Sequence, residues 1–240
     1  MLRVTISTLA GALALSLLSP PEASGQRVTS PYEFIEGKQD LGVWASYFST
    51  DPGSANLGPK STPAIGVGYA RRVSRPVTIG LLAHYLPSER DVVDPSTDDS
   101  IPRTVGSKDL DLLLVSGRLN ITLTGPRTWH NLAPYLIGGV GMIFELSGSA
   151  KCFEDSTDPD CELLPRERFE FGSSFVWQIG FGTAWLPTER LGLRLEVSDD
   201  IWRLKTPPGW YDVGLGPWPI PPAKDWTNNW QFGLAVTYWF

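Results

Sequence analysis

The chain has 240 residues and a formal net charge of −6 at neutral pH, which argues against nucleic-acid binding, where a basic face is needed. It contains 24 Gly, 21 Pro and 10 Trp, and aromatic residues make up 11%. Gly and Pro together approach a fifth of the positions, against roughly an eighth in an average protein. That composition excludes a helical bundle and fits many strands joined by turns.

Residues 1–25 read as a secretory signal peptide: Arg3, an apolar run over 4–18, Pro20 and Pro21, and small residues Ala23, Ser24 and Gly25 before the expected cut. A polar lead-in is expected over 26–38. Beyond it no run is long and apolar enough for a membrane helix. The rest of the chain, 39–240, reads as one domain of eight alternating strands over 39–48, 62–73, 77–86, 108–123, 132–146, 173–186, 190–204 and 229–240.

Side chains alternate across a strand, so each stretch assigns two faces. The last is the clearest. Trp230, Phe232, Leu234, Val236, Tyr238 and Phe240 share one face, and Gln231, Gly233, Ala235, Thr237 and Trp239 the other. In 108–123, Leu113, Val115, Leu119 and Ile121 oppose Ser116, Arg118, Asn120 and Thr122, and a bulge is expected near Asp109 and Asp111. The fifth strand is apolar on both faces and its orientation is not readable.

Connections alternate long and short, as in an up-and-down barrel with one loop-rich end. An all-β, eight-stranded antiparallel transmembrane β-barrel follows, with the mixed face inside and the apolar face toward lipid. A soluble lipocalin-like barrel would invert that arrangement.

The pieces Ile65-Gly66-Val67-Gly68-Tyr69, Pro134-Tyr135-Leu136-Ile137-Gly138-Gly139-Val140-Gly141 and Val236-Thr237-Tyr238-Trp239-Phe240 resemble the small eight-stranded outer-membrane barrels of the OmpA/OmpX type, in their barrel domain only. The resemblance implies a Gram-negative outer membrane with its lipid and lipopolysaccharide as surroundings. It also implies that Phe240, with Tyr238 before it, is the signal read by the barrel assembly machinery. A monomer is expected, with no periplasmic domain after Phe240.

Candidate chemistry is sparse. Cys152 and Cys161 lie in an acidic loop (147–172) and in an exported protein are expected to form a disulfide. His84 and His130 are the only histidines, too few for a metal site. His84 points inward but lacks a partner motif, so no catalytic residue and no cofactor is expected. Arg118, Arg194 and Glu196 form an expected lumen charge cluster, either a polar plug or an ion pathway, with Gly66/Gly68 and Gly180/Gly182 making room around it. The long loop 205–228 carries Trp210, Tyr211, Trp218 and Trp226, expected to fold over the barrel mouth or to hold something apolar. Non-enzymatic structural or surface-interaction work is the expected function. A small channel for ions or hydrophobic solutes and a lipid A-modifying enzyme are the alternatives.

Overall fold

The computed structural model describes residues 30–95, 103–148, 152, 157–211 and 221–240. The expected signal peptide and Trp218 fall outside them. Among these residues ten strands are present: β1 (Tyr32–Phe34), β2 (Gln39–Ser49), β3 (Thr62–Arg72), β4 (Val77–Asp94), β5 (Arg103–Thr122), β6 (Arg127–Trp129), β7 (Leu132–Glu145), β8 (Ser173–Trp185), β9 (Leu191–Lys205) and β10 (Lys224–Trp239). Among the described residues no helix is long and apolar enough to cross a membrane.

Eight of these strands form the wall, in the order β2-β3-β4-β5-β7-β8-β9-β10, and β10 returns to pair with β2. All pairings are antiparallel and sequential, so the barrel expected from the sequence is present. Closure leaves no unpaired edge around the regular part of the wall, which is the condition for a sheet to stand in lipid.

The outward face is apolar where the barrel is regular. Ile65, Ile179 and Leu81 are 64–66% exposed, and Leu41, Val43, Val67, Leu195, Phe232, Leu234 and Val236 are exposed beside them. A soluble surface does not carry a continuous apolar band of this kind. A lipid-facing belt does, and Tyr47, Tyr69, Trp177, Trp185 and Tyr238 lie within it. On β7 the ambiguity resolves: Ala133, Tyr135, Ile137 and Ile143 point in, while Leu136, Val140, Met142 and Phe144 point out.

Four details differ from expectation. The lead-in contains β1, which pairs with β6, while β6 joins β7 through Trp129 and Leu132. The intervening His130 and Asn131 have φ of 51° and 63°, the left-handed pair of a tight two-residue hairpin turn. Arg127 lies over the Phe34 ring at 4.5 Å, holding the added ribbon together.

Second, β4 and β5 run on through what reads as an acidic loop, as far as Asp94 and Arg103. Pro87 does not stop β4, because β3 last pairs with it at Ile65–Tyr85. Beyond that point the β3 side of β4 is an edge, where proline is tolerated. There the Pro87 carbonyl accepts from Thr62 Oγ1, and Lys60 N–H donates to Glu89 O at 2.7 Å.

Third, the register shift falls between Val92 and Val93, not at Asp109 and Asp111, which stay in phase with Leu113 and Val115. Fourth, β10 starts at Lys224, so Trp226 belongs to a strand rather than to the preceding loop.

The lumen is also not uniformly mixed. Phe48, Leu86, Leu110, Leu112, Leu114 and Ile143 are fully buried inside the half nearest the long loops, and they join Trp202 and Trp210 in one apolar cluster. Truncating the centre of this cluster, Leu112→Ala, removes buried methyl groups and leaves a cavity. A loss of about 2–5 kcal/mol is expected in urea unfolding of the refolded barrel in detergent. An unchanged midpoint would show that the cluster does not support the fold.

Candidate functional site

The polar middle of the lumen is built from inward positions on β2, β4, β5, β7, β8, β9 and β10. Closure of the wall brings together residues separated by up to 185 positions in the chain. Arg118 on β5 is the hub. Its Nη1 donates to Glu196 Oε2 at 2.7 Å, its Nε to Gln178 Oε1 at 2.6 Å and its Nη2 to Gln231 Oε1 at 3.3 Å. Glu196 uses its other oxygen to accept from Tyr135 Oη at 2.6 Å. Gln178 then donates from Nε2 to Asp200 Oδ1 at 2.6 Å. Both ions of the central pair are almost fully buried, so each needs this many partners to offset desolvation.

Arg194 is not part of that hub. Its Nη2 pairs with Asp40 Oδ2 at 2.9 Å, and its guanidinium sits over the Trp239 ring at 5.2 Å and the Tyr135 ring at 5.9 Å. The three charges expected as one cluster lie together around one small cavity, arranged as two ion pairs, Arg118–Glu196 and Arg194–Asp40, that meet at Tyr135. Asp40 shares the inward phase of Gly42, Trp44 and Ser46, and Gln178 and Gln231 share that of Arg118's other neighbours, so strand phase could have found them.

His84 is fully buried. Its Nε2 lies 3.2 Å from Ser46 Oγ and 3.1 Å from Gln231 Nε2, and its ring meets Phe48 edge-on at 5.8 Å. The Gln231 amide donates to Nε2, which assigns the proton to Nδ1; that atom has no partner. Ser46 and His84 have the atom types of a nucleophile and its base. However, Gln231 occupies the same ring nitrogen, donates to Ser46 Oγ at 3.1 Å, and seals the pair. Gly66 packs flat against the imidazole: a Cβ there would lie 2.4 Å from His84 Cδ2. Gly182 does the same for the Tyr135 phenol, with 2.9 Å to the ring and hydroxyl.

Above the apolar cluster, the segment over 157–172 folds down on the β4–β5 hairpin. Cys152 and Cys161 are disulfide-bonded, and no described cysteine is free. The bond ends on the 3-10 turn Pro159–Glu162, capped by the Asp158 carboxylate on Asp160 N–H at 3.0 Å. Asp160 accepts from Arg90 Nη2 at 2.6 Å and from Lys108 Nζ at 2.9 Å, and Lys108 also reaches Asp158 at 3.0 Å. Trp210 inserts beneath, fully buried, donating from Nε1 to Glu167 O at 3.0 Å.

The other described aromatics of 205–228 do not join Trp210. Tyr211 is partly exposed with its hydroxyl 3.3 Å from Pro221 O, and Trp226 faces outward under the Arg203 guanidinium at 5.7 Å. At the opposite end Tyr238 and Phe240 stack at 6.2 Å, both half-exposed on the outer face.

Two outcomes follow. Arg118→Ala strands the Glu196 charge and should cost about 3–5 kcal/mol in unfolding, with Arg118→Ala/Glu196→Gln recovering part of the loss. Independent, non-recovering losses would contradict the pairing. In the loop, burial raises the Asp158 pKa, but bonds from Lys108 and the Asp160 N–H outweigh it and hold the carboxyl below its usual range. Its contribution is complete above an unfolded aspartate pKa of about 3.9 and is lost as pH falls through the lower folded value. Amide protection over 157–172, taken relative to the intrinsic exchange rate at each pH, should therefore fall on acidification, with a smaller pH response in Asp158→Asn.

No protein-family model and no curated protein matches the chain. Solved structures do. The outer membrane protein OprG from Pseudomonas aeruginosa aligns over 88% of this chain and 99% of its own at 13% identity, with a TM-score of 0.51. Neisserial surface protein A aligns over 88% and 98% at 10% identity (TM-score 0.47). The N-terminal β-barrel domain of Pseudomonas aeruginosa OprF aligns over 85% and 100% at 13% identity (TM-score 0.44). At such identities the likeness concerns the fold, and the fold is that of the small eight-stranded outer-membrane barrels.

Proposed function

We propose that the protein resides in the bacterial outer membrane as a closed, non-conducting and non-enzymatic barrel with a structural or surface-interaction role. One observation carries this reading: the lumen is occupied along its length. The polar network from Asp40 to Asp200 fills the middle, and the apolar cluster around Leu112 fills the half beneath the loops. An ion crossing it would have to break buried ion pairs and then enter a largely apolar region, both costly. The reactive-looking Ser46–His84 pair lies inside the same packing, away from lipid.

What the fold offers to the outside is a braced platform. The β4–β5 hairpin projects beyond the apolar belt, the Arg90–Asp160–Lys108 bridges tie the adjoining segment to it, the disulfide braces that segment internally, and Trp210 packs beneath it. A surface ordered before contact loses less entropy on meeting a partner.

Planar-bilayer recordings of the purified protein should show no stable openings, and Arg118→Ala should stay silent because the apolar cluster remains. Sustained currents in the wild type would support the channel reading instead. Lipid A from expressing cells should have an unchanged mass profile; a new species absent from cells carrying His84→Ala would establish an enzyme.

A further inference from the structure

The outer wall of the barrel carries a groove of about 860 Å³, lying entirely across β7, β8, β9, β10 and β2. Strand register explains it. Pro134, Thr183, Leu195, Leu234 and Ala45 are successive cross-strand partners, forming one row of outward side chains. The adjacent row continues through Phe181, Val197, Phe232 and Tyr47. Aromatics in the second row stand over small groups (Pro134, Thr183, Ala45) in the first. Behind this step the inward positions include Gly182 and Gly233, where no side chain thickens the wall.

We infer that this groove is a binding site for one acyl chain of a membrane phospholipid. The inference rests on the membrane reading above and adds to it a particular place. Phe181, Leu195, Phe232 and Leu234 are 48–60% exposed members of the lipid-facing belt, so the groove is continuous with the surface the bilayer covers. Left unfilled, its walls would lose the dispersion contacts that a close-fitting chain supplies. Its five strands give four interstrand steps, or about 19 Å at roughly 4.8 Å each. Strands tilted by about 45° make that row climb about 13 Å of membrane depth, most of the roughly 15 Å that one leaflet contributes to a hydrocarbon core of about 30 Å, so the groove follows the greater part of a single chain. No charged side chain points outward among its lining residues, so the ligand's alkyl part, not its headgroup, is what the groove recognises.

The test is native mass spectrometry of the full-length protein, extracted from membranes in mild detergent and supplied with palmitoyl-oleoyl phosphatidylethanolamine. Wild type should retain one lipid. Thr183→Trp, which fills the floor, should retain about tenfold less, equivalent to about 1.4 kcal/mol. Leu81→Trp, on β4 at the opposite wall, should retain lipid like wild type. Ala45→Phe, at the far end of the groove, serves as a second blocking variant, and heat-modifiable gel migration identifies which variants are folded. Equal retention in the folded blocking variants, or none in wild type, overturns the site while leaving the membrane reading intact. A dimer that is lost in Thr183→Trp, in place of a lipid adduct, overturns it in favour of a second copy. Recovery of the protein outside the membrane fraction overturns the membrane reading itself.

Discussion

In a bilayer no water is present to satisfy a free backbone group, and the whole structure depends on that constraint. Its solution is the pairing of β10 with β9 on one side and β2 on the other, which turns a ladder of hairpins into a ring. A ring of eight strands is narrow, with an interior that side chains alone can fill. Alternation along each strand then divides the labour. The outward positions meet lipid, and the inward ones must pack against one another. Glycines fall where the interior is most crowded, as Gly66 does beneath His84.

The interior has two halves of different chemistry. The change occurs at corresponding levels: from Ser46 to Phe48 on β2, His84 to Leu86 on β4, Ser116 to Leu114 on β5, Gln178 to Val176 on β8 and Asp200 to Trp202 on β9. Below that level, the charges pair as Arg118–Glu196 and Arg194–Asp40; above it, aliphatic and aromatic groups dominate around the buried Thr227 and Asn229. The apolar half runs on into the loop-bearing end, where Trp210 and the Asp160 bridges close it. The barrel thus carries a small dry core of the kind a soluble domain has, continuous with its external segment.

The wall was legible because the period of two is strong where one face meets lipid and the other does not, as in 229–240. The same rule failed where both faces are apolar: Leu110 to Val115 reads as a broken register, although Leu110, Leu112 and Leu114 simply point into the dry core. Pro87 looked like a strand end because the sequence does not show that β3 has already stopped pairing there. Arg194 appeared to belong with Glu196 because the two are same-face neighbours, while its actual partner, Asp40, lies 154 residues away and becomes adjacent only on closure. The β1–β6 ribbon was invisible for the same reason, since each strand has only three residues and neither has a pattern without the other.

The central claim is that the lumen is closed by packing rather than gated. It is tested most directly by placing single cysteines inside the barrel, since no described native thiol is free. Leu112→Cys in the dry half and Ser116→Cys in the polar half should both resist a small water-soluble maleimide in the folded, membrane-inserted protein, and both should react fully after unfolding. Rapid modification of Leu112→Cys in the folded barrel would mean that water reaches the apolar half, and the account of a closed lumen would be wrong.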